Sequence, residues 1–420
     1  MAKIPTGLWK RGSKLAWSAG KFALSELTDR VKGAAELETK LLAAKDFVQT
    51  LGELKGASMK LGQLISIDVS GILPPEVMEV FERLHKDSPA VPFSELQQVL
   101  TEDLGDRLKD FSFINEVPLA SASMGQVHRG ELAGQQVVLK IQYPGVTQTI
   151  PQDLRLLKTL VSQFFKLQGK RIDIGPLFHE LTQVLMLEGD YRHELAMLKR
   201  YRLSFADSEY VIPQTYETHS SERVLCMEFI QATPLKEWGQ QASQDRRNRM
   251  AALLIELYLT EFFKFGLVQT DPNPGNFLVT DDDRLVLLDF GAVKEYSPEF
   301  ISGYRAIIRS CVAGSRSELL EESFKLNLLS PNESGEALEV YCRLIESVAV
   351  VTQAKMFDFT EPSFITESTQ LTLELARKLK YSAPPKELIF LHRKLAGVFA
   401  INRMLRAQLD LRPYWARVLA

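Results

Sequence analysis

The sequence predicts a two-lobed α+β protein, in which a small and mostly β lobe is followed by a larger α-helical lobe. Three observations carry this prediction. Short runs rich in β-branched and aromatic residues, separated by turn residues, fill positions 111–143. Helical periodicity dominates residues 235–420 and is interrupted by one apolar hairpin, NFLV and RLVLLDF. Helical patterns at 26–70 and 92–105 also precede the first strand, so the two kinds of structure are segregated along the chain.

Composition excludes several classes of protein. The chain has 420 residues, 45% of them hydrophobic, and a formal net charge of -3, which gives no general attraction to nucleic acid. Its three cysteines are far apart and lack CxxC spacing, so we expect a reducing compartment and neither a disulfide framework nor a zinc site. The most apolar stretch, ALLIELYLTEFFKFGLV, carries Glu256, Glu261 and Lys264. We therefore expect a cytoplasmic protein without a transmembrane segment or signal peptide, and the sequence leaves its oligomeric state open.

Residues 1–25 form a basic, amphipathic segment with five lysine or arginine residues and no acidic residue. Leu8, Leu15 and Phe22 fall on one helical stripe, and such a segment could lie on an anionic membrane surface. This interpretation would place the protein at the periphery of an inner membrane, on the matrix side in a eukaryote. The alternative is a frayed tail or a helix docked on its own domain, because three glycines in the segment weaken a helix.

After this segment the sequence predicts three regions. A helical extension covers 26–105, with the ILPPEV stretch at 72–77 interrupting its helices. A β-rich N-lobe with a helical insertion covers 106–230, and a helical C-lobe covers 231–420. The QATPL stretch between the two lobes is a predicted hinge.

Within the N-lobe, three antiparallel strands are predicted as a meander: FSFINEVPLA, GQVHRGEL and QQVVLKIQY, the last two joined by a turn at Ala133-Gly134. Helices over about 152–203 form the insertion. YVIPQTYETH and ERVLCMEFI then read as two further strands. His128 and Cys226 are expected to be core or strand residues, since a lone histidine in a strand is seldom a ligand.

The chemistry begins with Asp271 and Asn276, which have the D-x-x-x-x-N spacing of a protein-kinase catalytic loop. In that arrangement the asparagine oxygen and a later aspartate bind Mg²⁺, a hard cation that prefers oxygen ligands and neutralises phosphate oxygens. Asp289 supplies the later carboxylate, in a DFG tripeptide that follows an apolar strand. The alternative is an Asp-Pro turn with Asn276 as its cap. The two motifs across one predicted hairpin favour Asn276 and Asp289 as metal ligands and Asp271 as a catalytic residue.

Lys140 occupies the last third of the strand VVLKIQ, like the V-A-I-K lysine that pairs with nucleotide phosphates in kinases. The alternative is an exposed strand lysine. Such a catalytic lysine needs an acidic helix residue to hold it, and Glu194 in LEGDYRHELAML is our choice. Glu188 is four residues before Arg192 and fits a helix-surface pair instead.

The loop before Lys140 lacks the G-x-G-x-x-G pattern of ordinary kinases. Its small side chains still let phosphates approach, although each Cβ removes the φ > 0 freedom of glycine. The candidate cofactor-binding residues combine this loop with the strand lysine and with the last residue before Phe229 in ERVLCMEFI. They are Ala120, Ser121, Ala122, Ser123, Gly125, Gln126, Val127, Lys140 and Glu228.

Three further features depart from an ordinary protein kinase. Gln269 and Thr270 replace the His and Arg of the H-R-D triplet. An insertion separates Lys140 from its partner helix. Little activation segment follows DFG, because a helix with Ser297 as N-cap and Pro298 at its first position begins almost at once. A protein substrate therefore has no evident docking platform.

Five stretches together resemble the UbiB (AarF) family of atypical kinases, and in particular its ubiquinone-biosynthesis branch: KGASMKLGQLIS, PLASASMGQVHRGEL, LEGDYRHELAML, QTDPNPGNFLV and LLDFGAV. The resemblance runs from about residue 50 to about residue 400 and includes PPKELIFLHRKLAG. It implies a bilobal protein kinase-like fold with an N-terminal helical extension.

The resemblance also carries over two motifs. Lys60, Gly62 and Gln63 match the K-x-G-Q motif, which in the family folds over the place that a peptide would occupy. Glu188 and Asp190 match the E-x-D motif. The resemblance thus adds Lys60 to the catalytic candidates Asp271, Lys140 and Glu194, whereas a lysine in an arbitrary helix would be solvated.

Motifs and resemblance together imply a Mg²⁺-dependent ATPase or atypical small-molecule kinase that supports ubiquinone or related isoprenoid-lipid biosynthesis. Its cofactors would be ATP or ADP and Mg²⁺, and its partners quinone-biosynthesis enzymes. Lys140 would position the α and β phosphates, and Asp271 would polarise water or an acceptor hydroxyl. One alternative is a nucleotide-gated scaffold or lipid-binding chaperone with little catalysis. A Ser/Thr protein kinase is a less favoured alternative, and the phosphoryl acceptor stays open.

Overall fold

The structure is a computed structural model that describes residues 91–122, 124–167, 175–206, 208–382 and 385–419. The chain divides into two units. The first contains the described residues up to Ala196 together with Gln214–Phe229. The second contains Met197–Pro213 and the chain from Ile230 onward. The predicted basic segment and the predicted helices before residue 91 lie outside the described residues.

The strands and helices of the described residues are numbered here in chain order. The strands are β1 (Phe111–Ile114), β2 (Ala120–Ser121), β3 (Gly125–Leu132), β4 (Gln135–Gln142), β5 (Tyr210–Val211), β6 (Val224–Glu228), β7 (Thr233–Pro234), β8 (Leu267–Gln269), β9 (Phe277–Val279), β10 (Leu285–Leu287), β11 (Val293–Glu295), β12 (Phe357–Asp358) and β13 (Gln408–Leu409). The helices are α1 (Phe93–Leu104), α2 (Val146–Leu167), α3 (Gly175–Glu188), α4 (Tyr191–Ser204), α5 (Leu235–Gln241), α6 (Gln244–Leu259), α7 (Pro298–Val312), α8 (Arg316–Lys325), α9 (Gly335–Thr352), α10 (Pro362–Lys378), α11 (Lys386–Met404) and α12 (Arg412–Leu419).

The first unit is built on an antiparallel sheet with the order β1-β3-β4-β6, and β2 pairs with the free length of β3. The predicted turn between β3 and β4 is confirmed, since Ala133 and Gly134 both have positive φ, 49° and 77°. Two such residues give the turn whose twist matches that of the flanking strands. The predicted meander is also confirmed, except that its first run is divided into β1 and β2. Pro118 lies between them and has no N–H for the ladder.

Helix α1 confirms the helix predicted at 92–105 and covers one face of this sheet. Its buried residues recur at three- and four-residue spacing, which gives the helix one apolar face. This face packs into a core with inward-facing residues of β4 and β6. The core residues on these three elements are Leu96, Val99, Leu100, Leu104, Val137, Leu139, Ile141, Val224 and Cys226.

The predicted strand YVIPQTYETH is wrong over most of its length. Only Tyr210 and Val211 form β5, which pairs in parallel with β10 in the second unit. Pro213 follows and cannot donate to a ladder, so the strand ends there. Thr215 makes a single bridge to Met227, and a 3-10 turn follows. A proline after three apolar residues therefore outweighs the β propensity of this run.

The second unit has α6 at its centre. This helix continues into a π-helical turn over Thr260–Phe265, which Gly266 ends in a left-handed conformation with φ 61°. Most of the apolar run that begins at Ala252 is buried here as the core of a folded unit. None of the helices in the described part of the chain is long and apolar enough to span a membrane.

The predicted hairpin in this unit is confirmed. Strands β9 and β10 are antiparallel, with Phe277 opposite Leu287 and Val279 opposite Leu285. Asp283 has φ 62° and supplies the left-handed residue of the connecting turn. The QATPL stretch, which we predicted as a hinge, contains β7, and this short strand pairs with β9.

A buried ion pair joins the π-helical turn to α11. The ammonium of Lys394 lies 3.1 Å from Oε2 of Glu261, and both side chains are 1% exposed. The Tyr201 hydroxyl donates to Oε1 of the same carboxylate over 2.9 Å. Burial raises the pKa of Glu261, and the charge of Lys394 opposes that shift. The pair therefore ties two elements together that are far apart in sequence.

We expect Lys394→Met to lower the free energy of unfolding by about 3–5 kcal/mol, because it leaves the Glu261 carboxylate buried without its cation. Chemical denaturation followed by circular dichroism measures this change. The double variant Lys394→Met/Glu261→Gln should recover much of the loss. Arg403→Met, at an exposed position of the same helix, is the matched control. An unfolding midpoint for Lys394→Met equal to that of the control would contradict the assignment.

Candidate functional site

Lys140 and Glu194 form a buried ion pair in the first unit. The ammonium lies 2.8 Å from both carboxylate oxygens. Glu194 is fully buried and Lys140 is 8% exposed. The ring of Tyr191 lies beneath the ammonium, 5.1 Å from its centroid. These contacts hold the lysine at a fixed place on β4, with the acidic partner that we chose from the sequence.

The chain between α3 and α4 orients that acidic partner. Helix α3 ends at Glu188 and α4 begins at Tyr191, so Glu188 and Arg192 do not share a continuous helix. Oδ1 of Asp190 accepts the backbone N–H groups of Arg192 and His193, at 3.0 and 3.2 Å. Asp190 thus caps α4, which places Glu194 in the first turns of the helix. Glu188 is buried.

The small-residue loop turns between β2 and β3. Ala120 pairs with Val127 and Ser121 with Gln126. The N–H of Ala122 donates to the Gly125 carbonyl over 2.9 Å and closes the turn, while Ala120 and Ser121 are exposed. The exposed residues that lead into this turn, Ala120 and Ser121, carry small side chains, and the approach of phosphates to this loop stays a prediction.

Two of the candidate cofactor-binding side chains are engaged inside the first unit. Gln126 is fully buried, donates to the carbonyl of Val91 over 3.0 Å and contacts Nε2 of His128. Burial lowers the pKa of His128, which behaves as the predicted core residue. Oε2 of Glu228 accepts the N–H of Gln214 over 3.1 Å. The side chain of Gln126 is therefore committed to the interior of the first unit.

Asp271 and Asn276 meet in the second unit. The side-chain amide of Asn276 donates to the backbone carbonyl and to Oδ2 of Asp271, both over 3.2 Å. Asn273 accepts the N–H of Gly275 over 3.0 Å and holds the intervening turn. Because the nitrogen of Asn276 faces Asp271, its side-chain oxygen is the atom that remains for a cation.

Asp289 lies next to this loop. Its Oδ1 accepts the N–H of Gly291 over 3.0 Å, and the N–H of Leu288 donates to the Asn276 carbonyl over 3.1 Å. Asn276 and Asp289 line the same small cavity, together with Phe290. The β9–β10 hairpin brings the two predicted metal ligands to one place, since the loop enters β9 where β10 ends.

Sequence reasoning missed two residues at this loop. Nη2 of Arg393 lies 3.7 Å from Oδ1 of Asp271, and Lys394 donates to Oε1 of Gln269 over 3.1 Å. The available signal was a pair of basic residues inside the otherwise apolar helix LIFLHRKLAG. Basic residues in a helix are usually solvated, so the sequence alone gave no reason to bury them.

Several predicted residues lie outside the described residues. They include the K-x-G-Q residues and one serine of the small-residue loop: Lys60, Gly62, Gln63 and Ser123.

The fold and these paired charges are those of a protein kinase-like chain with a lysine–glutamate pair, a D-x-x-x-x-N loop and a DFG aspartate. The ABC1 atypical kinase-like domain family matches residues 83–323. The chain belongs to this family, and the predicted relationship to UbiB-type atypical kinases is confirmed.

Two relatives that match nearly the whole chain are named atypical kinases. The chain is 33% identical to mitochondrial atypical kinase COQ8B of Rattus norvegicus, over 96% of this chain and 79% of that protein. It is 32% identical to COQ8B of Danio rerio, over 95% of this chain and 66% of the relative. A solved complex of Rv3197 with erythromycin from Mycobacterium tuberculosis has a TM-score of 0.61 and 27% identity, and covers 90% of this chain and 97% of the other. The chain thus spans only about two thirds of the Danio rerio relative.

We expect Gly125→Ala to destabilise the first unit by about 1–3 kcal/mol. A Cβ at this position would lie 2.2 Å from the backbone oxygen of Ile141 and 2.9 Å from the hydroxyl of Tyr191. Thermal unfolding measures the loss. Gly335→Ala is the matched control, because a Cβ there meets nothing within 4 Å. Equal melting temperatures for the two variants would show that the loop base tolerates a side chain.

Proposed function

We propose that this chain is a Mg²⁺-dependent ATPase or atypical small-molecule kinase that supports ubiquinone biosynthesis. The observation that carries the proposal is the buried pair of Lys140 with Glu194. Desolvating an ammonium and a carboxylate is costly, and a structural strand lysine would avoid that cost by reaching solvent. The two carboxylate oxygens fix the position of the buried lysine, and in the proposed function its ammonium would contact phosphate oxygens from there.

The donor set of the second unit fits a magnesium ion. Asn276 and Asp289 line one cavity and supply a carboxamide oxygen and a carboxylate, the ligand types that a hard cation prefers. In the proposed function these two residues would hold Mg²⁺, which when bound neutralises phosphate charge. Lys140 would orient the α and β phosphates, and Asp271 would accept a hydrogen bond from water or an acceptor hydroxyl and orient it.

The segment after DFG supports a small acceptor rather than a protein. Residues 292–297 are all that separate Gly291 from α7, and part of that stretch is paired as β11 with β8. The predicted cap of α7 is confirmed, since the Ser297 hydroxyl accepts the N–H of Phe300 and Pro298 begins the helix. No long loop is therefore available here to hold a peptide substrate.

The proposed role in quinone-lipid synthesis rests on the names of the relatives. Several of them carry the COQ8 name and the word mitochondrial, among them proteins of Saccharomyces cerevisiae and Schizosaccharomyces pombe. We extend this to a membrane-peripheral ATPase whose partners are quinone-biosynthesis enzymes. The Lys60 motif would disfavour peptide substrates, as the family resemblance implies.

We expect Asp289→Asn to lower MgATP turnover by about 100-fold or more, because it removes a metal-binding carboxylate. Turnover is measured with purified protein, with and without liposomes and quinone head-group analogues. Asp281→Asn, at an exposed position of the β9–β10 turn, is the matched control and should match the wild type.

A thermal-shift titration with MgATP and MgADP accompanies this assay. Retained nucleotide binding without turnover under any condition would favour a nucleotide-gated scaffold. Phosphorylation of a generic protein substrate would instead favour a Ser/Thr kinase.

A further inference from the structure

We propose that Arg393 is a positioning residue, which fixes the orientation of the Asp271 carboxylate. This inference rests on the proposed function, in which Asp271 orients the attacking group. It makes α11, which carries none of the kinase-type motifs, a part of the proposed site.

The first support is the separation of the two carboxylate oxygens. Nη2 of Arg393 lies 3.7 Å from Oδ1 of Asp271, and the amide of Asn276 donates to Oδ2 over 3.2 Å. The side chains of Arg393 and Asp271 are 2% and 6% exposed. One carboxylate thus faces a fixed cation on one oxygen and a neutral donor on the other. A carboxylate with two different partners has one preferred orientation.

The second support is the close packing of α11 on the catalytic loop. Gly397 lies one turn after Arg393, and a Cβ on Gly397 would be 2.0 Å from Cβ of Pro272. The helix therefore presents Arg393 to Asp271 and a bare backbone to Pro272. Residues four apart lie on one helix face, so these contacts fix both the register and the distance of α11 from the loop.

The third support is that Arg393 and Lys394 contact different parts of the loop. Lys394 contacts Glu261 and Gln269, and Gln269 in turn donates to the backbone carbonyl of Asp271 over 2.8 Å. Lys394 thus supports the loop backbone, whereas Arg393 faces the reacting side chain. Consecutive residues on a helix point about 100° apart, which lets one helix reach both places.

The chemistry of a guanidinium suits this role. Arginine stays protonated at every relevant pH, so it cannot exchange a proton with the attacking group. Its positive charge attracts the nearer carboxylate oxygen and so favours one orientation of the Asp271 side chain. In this loop, where Gln269 and Thr270 replace the usual His and Arg, the cation reaches Asp271 from α11 instead.

The test is a double-mutant cycle on MgATP turnover. Arg393→Gln should lower kcat by at least about tenfold, with the KM for ATP changed much less. In an Asp271→Asn background the same substitution should cause little further loss, because Arg393 acts through Asp271. Arg393→Lys should recover part of the loss, and Arg403→Gln, exposed on the same helix, should behave as wild type.

Hydrogen exchange separates this proposal from the proposed function. Arg393→Gln should increase amide exchange in the peptide covering 268–279 and leave β3 and β4 unchanged, whether or not the protein turns over ATP. If the wild type shows no ATP turnover, the proposed function is contradicted, but the exchange measurement over 268–279 still tests the role of Arg393. Should Arg393→Gln fail to fold, Arg393→Lys is measured in both assays, and it should keep the fold with a smaller effect on each.

Three results would overturn the proposal. The first is additive losses in the cycle with Asp271→Asn. The second is a higher KM for ATP with an unchanged kcat. The third is unchanged exchange over 268–279 in a folded Arg393 variant. Each would show that Arg393 serves only the packing of α11.

Discussion

A charged side chain that is removed from water needs an opposite charge nearby, and the candidate functional residues of both units obey this constraint. Burying one ion alone costs several kcal/mol, and the pair offsets that cost only in a well-defined geometry. Each buried charge therefore fixes the position of its partner and of the element that carries it. Within the described part of the chain, three such pairs are Lys140–Glu194, Lys394–Glu261 and Arg393–Asp271.

These pairs contribute more to the specification of loop shape than to stability. Replacing both members of such a pair by apolar groups is often neutral, whereas removing one member is strongly destabilising. In the second unit the pairs connect α11 to the π-helical turn and to the loop around Asp271. A π-helical turn places Glu261 where a regular helix would present a different residue, and such irregularities are frequent at functional sites.

Local patterns were enough to predict most of the elements and part of the candidate site. The hairpin β9–β10, the Ala133-Gly134 turn and the cap at Ser297 follow from period and turn chemistry, which depend on neighbouring residues. The contact of Lys394 with Gln269 spans 125 positions, and no local pattern reports it. Burial of a lysine also contradicts its ordinary surface preference, so only the folded chain reveals it.

The fixed charges also bear on how such a site would be controlled. Ordinary protein kinases order a long activation loop by phosphorylation before their catalytic residues align. Here the segment after DFG is short, and Val293 pairs with Gln269 while Glu295 pairs with Leu267. The strand that leads into the D-x-x-x-x-N loop is thus paired with the segment that corresponds to the mobile activation loop of an ordinary kinase. The loop is held by β11 on one side and by α11 on another, so its alignment does not require an ordering step in that segment. Control of turnover would then have to act elsewhere, through access of the nucleotide or the acceptor.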